Sequence, residues 1–415
     1  MSQSLSVYLR ETKVGVLHLD IQRRFVFQYN QNWLENDQAI PLSLQLPLQA
    51  EAFSDDRARP FFANLLPESE LRRVIARKLG FSEQNDFALL EAVGGECAGA
   101  VSLFPDDVQP NNASSEYRLL TDSELNTLVE EMPNKPMLAG EAGMRLSLAG
   151  AQNKLPVFFD GQQISLPMGG APSNHILKPP IAGISHTVEN EIFCMRLAGQ
   201  LGLPVPAVQI LQKVQPLYLI SRYDRESDTK SGLRRIHQED FCQALGVLPD
   251  SKYEAEGGPG LGACFNLVRE HSIQPAADIS VLLDWVIFNY FVGNADAHAK
   301  NISLLLTDKG PRLAPLYDLM CTAVYPQLAE RMAMKVGTEN RPDWIIERRW
   351  QAFAEEVSIN YRLVQKKLRD VSSAILDAAE DVTNQLQEQY GSCEIYGKII
   401  DVVSTRCKKI HRISN

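Results

Sequence analysis

Three short stretches near the start of the chain alternate apolar and polar residues with a period of two: Leu5-Ser-Val-Tyr-Leu9, Gly15-Val-Leu-His-Leu19 and Arg24-Phe-Val-Phe-Gln-Tyr29. That period puts every second side chain on one face, so these segments predict a small antiparallel sheet. Pro41-Leu-Ser-Leu-Gln-Leu-Pro47 alternates in the same way between two prolines, which cannot donate to a ladder, and predicts an edge segment. The period then lengthens. Leu71, Val74, Ile75 and Leu79 share one helical face after Pro67 and stop at Gly80, while Asp86–Val93 reads as a second short helix ended by Gly94-Gly95. Gly99–Phe104 returns to a strand, and Pro105–Ser115, rich in Pro, Asn and Ser, reads as a surface linker with a boundary near residue 110.

Beyond the linker, Leu155–Phe159, the Asp160-Gly161 turn and Gln163–Pro167 spell a hairpin, and His175-Ile-Leu-Lys178 a strand that ends on a lysine. Thr187 is expected to cap a helix carrying Phe193, Leu197 and Leu201 on one face. Val208–Leu211 and Leu217–Ile220 predict strands leading into Ser221-Arg-Tyr-Asp-Arg225, where the chain leaves the sheet. From about 226 the pattern reads as helical. Arg234–Gly246 looks like a helix entry, Lys252–Gly260 is a glycine-rich loop, and Val281–Val292 is apolar enough for a buried helix. Tyr361, Val364, Leu368, Val371, Ile375, Ala379, Val382 and Leu386 stripe one long helix, and a final helix covers 394–410. The whole is an α+β chain in three parts: a small β-rich subdomain over 1–110, a β-rich region over 111–225, and a helical region over 226–415.

Composition narrows the classes. The chain has 415 residues, 45% hydrophobic and 22% charged, which is enough apolar surface for a large core in two or three domains. Its formal net charge of -10 repels phosphate backbones and anionic membranes, so autonomous nucleic-acid binding is disfavoured. The seven cysteines are scattered without a C-x-x-C pair, which argues against a disulfide framework and against a zinc site, and for a reducing compartment. The N-terminus lacks the basic and apolar regions of a signal peptide, and the 281–292 run is short and contains Asp284. A cytoplasmic protein without a membrane partner is therefore expected.

The stretch richest in chemistry is Phe291-Val-Gly-Asn-Ala-Asp-Ala-His-Ala-Lys-Asn-Ile302, in which the apolar helix delivers polar groups to one loop. Ile302–Thr307, Asp308-Lys-Gly310 and Arg312–Tyr317 then read as strand, turn and return, which carries Asp318 back beside that loop. Phosphoryl transfer from ATP needs a carboxylate to take the proton of the acceptor hydroxyl, and hard oxygen ligands for Mg²⁺. Asp296, then Asn301, then Asp318 stand in the order base, metal ligand, metal ligand. Taken alone, Asp-x-x-x-x-Asn also describes side chains that cap turns. Leu148-Ala-Gly-Ala-Gln-Asn-Lys154 has the small residues and the cation of a phosphate cradle, or of an ordinary glycine-containing bend. Strand Lys178 followed by helix Glu191 matches either the ion pair that positions ATP or a plain surface pair.

Together these stretches resemble the HipA family of bacterial serine/threonine kinases, the toxin halves of HipA–HipB toxin–antitoxin pairs. The resemblance runs through Phe61–Pro67, Arg145–Lys154, His175–Lys178, Val188–Glu191, Arg222–Arg225, Gln238–Cys242, Lys252–Glu254, Gly257–Gly260, Asn294–Asn301 and Tyr317-Asp318, over essentially the whole length. It implies a protein-kinase-like two-lobed fold, with an antiparallel β-rich N-terminal lobe, a small extra subdomain before it, and a helical C-terminal lobe. It implies Asp296 as catalytic base, His298 and Lys300 as supports of the catalytic loop, and Asn301 and Asp318 as Mg²⁺ ligands. Lys178 would sit on the ATP phosphates with Glu191 in support. Leu148, Ala149, Gly150, Ala151, Gln152, Asn153 and Lys154 would form the phosphate-binding loop, and Ser221, Tyr223 and Asp224 the hinge at adenine. Ser147 falls at the family's autophosphorylated serine, whose modification expels the neighbouring loop. Nearly two added negative charges beside a triphosphate cradle oppose nucleotide binding. The implied partners are a HipB-like dimeric helix-turn-helix antitoxin, operator DNA mainly through that antitoxin, with nucleoid association in the complex, and glutamyl-tRNA synthetase as protein substrate, whose phosphorylation arrests growth and promotes persistence. Two other readings share the motifs: a co-repressor without significant turnover, and a small-molecule kinase.

Overall fold

The computed structural model describes residues 4–106, 108, 116–140, 145–228 and 232–414. Most of the 105–115 linker, with its boundary near 110, lies outside them. In chain order the elements are β1 (Ser4–Leu9), β2 (Thr12–Leu19), β3 (Phe25–Tyr29), α1 (Gln31–Leu34), α2 (Asp55–Ala63), α3 (Ser69–Leu79), α4 (Asp86–Val93), β4 (Val101–Pro105), β5 (Glu116–Leu119) and α5 (Asp122–Glu131). There follow β6 (Leu155–Phe159), β7 (Ile164–Met168), β8 (His175–Lys178), α6 (Thr187–Gln200), β9 (Val208–Gln212), β10 (Pro216–Ser221), β11 (Arg225–Asp228), β12 (Gly232–Arg235), β13 (His237–Asp240) and α7 (Phe241–Ala244). The chain closes with α8 (Leu261–His271), α9 (Pro275–Val292), β14 (Ser303–Thr307), β15 (Gly310–Leu313), α10 (Glu347–Glu356), α11 (Tyr361–Tyr390) and α12 (Glu394–Ser414). This is the α+β class that the patterning predicts.

Contacts gather the chain into two compact units. The first comprises Met1–Pro179, Leu219–Asp250 and Leu304–Gly310; the second comprises Pro180–Tyr218, Ser251–Ser303 and Pro311–Asn415.

In the first unit the opening strands form an antiparallel sheet in the order β3-β2-β1-β4. Its inner face, with Leu5, Val7, Leu17, Phe25 and Phe27, packs on Phe61 and Phe62 of α2. The alternation at 41–47 does not make an edge strand. Leu42 and Leu46 are buried in that core, and buried Glu239 accepts from Ser43 Oγ at 2.5 Å and from the Leu44 N–H at 3.0 Å, which folds the segment into a turn. Strands β5-β7-β6-β8-β10 make a second sheet, to which Leu219–Ser221 of β10 contribute. The helix expected from Arg234 is instead strand. β11 and β12 pair antiparallel with Glu226 facing Arg234, β13 follows, and only the four residues of α7 are helical, started by the Asp240–Gln243 capping box. Backbone pairing of β11 with β12, with Arg234 opposite Glu226, takes the place of the helix there.

In the second unit α9 is the central element. By length and composition it is apolar enough to cross a membrane, yet it serves as a core helix: Leu282, Leu283, Trp285, Ile287 and Phe291 are buried, and first-turn Asp278 takes a bidentate contact from Arg312 at 2.9–3.2 Å. The stripe of α11 buries Val364, Leu368, Ile375, Ala379, Val382 and Leu386. Thr187 does not cap α6. His186 occupies the N-cap at φ 58°, and the Thr187 hydroxyl accepts from the Ile181 N–H at 2.9 Å.

Candidate active site

In the second unit α9 ends at Gly293, whose φ of +71° is left-handed. A Cβ there would stand 2.8 Å from Ala323 Cβ, so the position is restricted to glycine by conformation and by space. The chain then turns on its own side chains. Asn294 donates from Nδ2 to Asn289 Oδ1 at 2.8 Å and accepts from the Asp296 N–H at 3.1 Å. Thr322 Oγ1 accepts from the Ala295 N–H at 2.7 Å, and the Ala333 N–H donates to the Ala295 carbonyl at 2.8 Å. The backbone that carries Asp296 is thus fixed from both sides.

On this frame the Asp296 side chain remains 55% exposed. Tyr253 Oη donates to its Oδ1 at 2.8 Å, and buried His298 places Nε2 3.9 Å from the same oxygen. The Tyr253 and His298 rings meet edge to face at 5.3 Å. Asn301 donates from Nδ2 to the Asp296 carbonyl at 3.0 Å, which closes the turn. Lys300 is buried, and its carbonyl accepts from Tyr317 Oη at 2.7 Å, so the segment before Asp318 is tied to the 294–301 loop.

Asp318 itself adopts φ 58°, a conformation that aspartate tolerates better than most residues. Just beyond it, Asn190 of α6 pairs in both directions with the Cys321 backbone, at 2.8 and 2.9 Å. The next residue of α6, Glu191, is buried in the same region. The Tyr218 phenol registers both acids: burial raises its pKa well above normal, and the charges of Glu191 and Asp318 raise it further. Glu191 and Asp318 thus both lie close enough to the Tyr218 phenol to act on its proton.

The first unit holds the other predicted residues. Ser147 is fully buried; its Oγ donates to the Leu65 carbonyl at 2.7 Å, and its N–H donates to the Glu96 carbonyl at 2.8 Å. Leu146 and Gly150 bridge to Glu96 and Pro67, so the loop is anchored at both ends. Within it Leu148 is buried, Ala149, Gln152 and Asn153 are half-buried, and Ala151 is exposed. Gly150 has φ +108°, and a Cβ there would stand 2.6 Å from Lys154 Nζ, because Lys154 folds back to donate to the Ala149 carbonyl. Asn153 Oδ1 is buried without a hydrogen-bond partner among the described residues, a polar atom suited to a polar ligand. Lys178 is buried at the end of β8, in a different unit from Glu191.

At the predicted hinge, Ser221 Oγ lies 3.0 Å from His175 Nε2, whose pKa burial lowers to about 4, so that imidazole is neutral. Tyr223 donates to Gln238. Asp224 faces inward and belongs to a buried charge cluster that the motif reading missed. It accepts from Arg222 Nη2 at 2.7 Å and the Gly99 N–H at 2.6 Å, and it pairs ionically with Arg225 Nη1 at 3.0 Å. Glu96 accepts from both guanidinia at 3.2 Å. Tyr253 was also missed as a site residue, although Lys252-Tyr-Glu254 stood out as a motif; only the fold sets its hydroxyl against Asp296.

Residues 5–104 match the HipA N-terminal domain, and residues 146–384 match the HipA-like C-terminal domain. The chain belongs to the HipA family of serine/threonine kinase toxins. It is 42% identical over 411 residues to a putative kinase, Y4mE, of Sinorhizobium fredii, covering 98% of each chain. It is 31% identical over 392 residues to the serine/threonine-protein kinase toxin HipA of Shewanella oneidensis, covering 91% of this chain and 89% of that one. The solved complex of Shewanella oneidensis HipA, HipB and operator DNA contains a chain that matches this HipA-family fold with a TM-score of 0.84 at 28% identity, over 99% of both.

Proposed function

We propose that this chain is an ATP- and Mg²⁺-dependent protein kinase that phosphorylates serine or threonine hydroxyls. The observation that carries the reading is the state of Asp296: a half-exposed carboxylate on a backbone fixed from both sides, oriented by Tyr253 and backed by buried His298. Such a group orients an acceptor hydroxyl and takes its proton as the oxygen attacks. His298 and Lys300 hold the loop, while Asn301 and Asp318 would hold the metal. In the first unit the loop 148–154 and Lys178 would hold the phosphates, and Ser221 and Tyr223 would meet the base. Asp224 acts through Arg222 and Arg225 to shape that segment. Mg²⁺-bound ATP supplies the transferable phosphoryl group with its charge partly neutralised. Lys154, one of whose three N–H donors holds the Ala149 carbonyl, would offer the others to a phosphate.

Ser147 is the proposed autophosphorylation site. Its burial requires the 146–150 segment to leave its bridges before modification, and the phosphate would then keep the segment out. A HipB-like antitoxin dimer is the proposed partner, supported by the HipA–HipB–operator complex of the Shewanella relative. The charge of -10 favours contact with DNA mainly through that partner. Glutamyl-tRNA synthetase is the proposed substrate, and its modification the route to growth arrest.

The test is transfer of labelled phosphate from ATP to purified glutamyl-tRNA synthetase and to the chain itself, with phosphopeptide mapping. Asp296→Asn should lower both transfers by about 10²–10⁴-fold, the range for loss of a general base. Transfer that survives this substitution would remove Asp296 from the proposed role. The co-repressor reading, favoured by the operator complex of the relative, predicts that Asp296→Asn protein still tightens operator binding by the antitoxin.

A further inference from the structure

Three metal-ligating side chains meet in the second unit, outside the set that serves the catalytic loop. His186 is the N-cap residue of α6, Glu189 lies in the first turn of that helix, and Cys393 immediately precedes α12. One donor atom from each, a nitrogen, a carboxylate oxygen and a sulfur, lies within 4.8 Å of the others. Cys393 Sγ is 3.3 Å from His186 Nδ1, and that nitrogen is 3.9 Å from Glu189 Oε2. Tetrahedral zinc, with bonds of about 2.0–2.3 Å to nitrogen, oxygen and sulfur, sets its ligand atoms roughly 3.3–3.6 Å apart. The first spacing already fits; the second, and the spacing of the sulfur from the Glu189 carboxylate, lie within 4.8 Å and shorten when a metal draws the three ligands in.

Two further observations point the same way. His186 holds φ 58°, in the left-handed region that non-glycine residues seldom enter, and its side chain makes no cap hydrogen bond to the helix. The conformation turns the imidazole toward Cys393 instead of serving α6. The local field also favours a cation. The Cys393 thiol is pushed up by partial burial and then by the negative charges of Glu189 and Glu394. The start of α6 contributes about half a positive charge, less than the Glu189 carboxylate supplies in the opposite sense, while Glu394 is paired with Lys398 at 2.7 Å.

We propose that His186, Glu189 and Cys393 form a Zn²⁺ site, with water as the fourth ligand. On binding, the Cys393 S–H bond breaks, its proton passes to solvent, and the sulfur donates to the metal. A nitrogen, sulfur and oxygen set selects a borderline-soft ion such as Zn²⁺ over Mg²⁺. No local spacing announces the site, since His186 and Cys393 are 207 positions apart in the chain. Bound zinc would tie the start of α6 to the start of α12, five residues ahead of Glu191, and would stiffen the helix that carries that acid. The inference stands independently of the kinase reading.

The test uses the full chain, freed of metal by a chelator and titrated with Co²⁺. The expected result is a near-ultraviolet thiolate-to-cobalt band with tetrahedral visible bands, saturating at one equivalent and abolished by Zn²⁺. The other six cysteines are buried, so the thiolate signal reports Cys393. Cys393→Ser should remove the near-ultraviolet band, and Glu189→Gln should weaken binding about tenfold or more. A band that persists in Cys393→Ser, or fails to form in the wild type, overturns the proposal. If the serine variant does not fold, alkylation of wild-type Cys393 decides the matter: Zn²⁺ should slow it about tenfold or more, and an unchanged rate overturns the site.

Discussion

Asp224→Asn is the most demanding probe of the first unit. The substitution keeps size and shape but removes one of the two carboxylates that balance Arg222 and Arg225. All four side chains are at most 4% exposed. Asp224 receives three close donors from these guanidinia and one from the Gly99 N–H, and an asparagine amide turned toward them would set donor against donor. Removing one partner of a buried ion pair costs about 3–5 kcal/mol, because the remaining charge stays desolvated. In a unit of this size each kcal/mol is worth about 2–4 °C, so the melting temperature should fall by roughly 6–20 °C. Burial by itself would raise the Asp224 pKa, but the two arginines more than offset it and hold the carboxyl below the usual carboxylate range. A group depressed in the folded state contributes its stability above the unfolded value of about 3.9 and loses it as the pH falls through the folded value. The gap between wild type and variant should therefore be full at neutral pH and shrink below about pH 4. Urea unfolding followed by circular dichroism measures it without screening the charges. A loss under about 1 kcal/mol at neutral pH would refute the reasoning, because it would mean that the cluster is solvated or rearranges freely.

Two further outcomes follow from particular contacts. Tyr253→Phe removes the 2.8 Å hydrogen bond to Asp296 Oδ1 while keeping the ring against His298, and should lower kcat about 3–30-fold, as expected for a partly solvated bond to a charged group; an unchanged kcat would show that Tyr253 does not orient the base. Glu239 is raised to about 8 by burial, against the smaller opposing effects of Ser43 and the Leu44 N–H. Between about pH 4.5 and 8 the unfolded chain gives up a proton that folded Glu239 keeps, so this group erodes stability as pH rises, on the order of 1.4 kcal/mol per pH unit. Glu239→Gln should gain stability relative to wild type across that window, and parallel stability profiles would contradict the assignment.

What the sequence determined by itself is local. A period of two placed β1, β2 and β3, helical periods placed α3 and α11, an apolar run placed the later part of α9, and Gly80 marked a helix end, because each signal is local to its stretch of chain. The 291–302 stretch stood out for the same reason: Asp296 and Asn301 lie five positions apart and meet through the Asp296 carbonyl, and the hairpin after them returns Tyr317 to the Lys300 carbonyl. What only the tertiary structure decided is long-range. The turn at 42–46 exists because Glu239, almost two hundred positions later, receives Ser43 and Leu44. β11 to β13 replace the expected helix because cross-strand partners reward extension. Tyr253 reaches Asp296 across 43 positions, and Arg222 reaches Glu96 across 126. A lone tyrosine or glutamate carries no periodicity, so its partner is fixed only when packing closes the loop entropy between them.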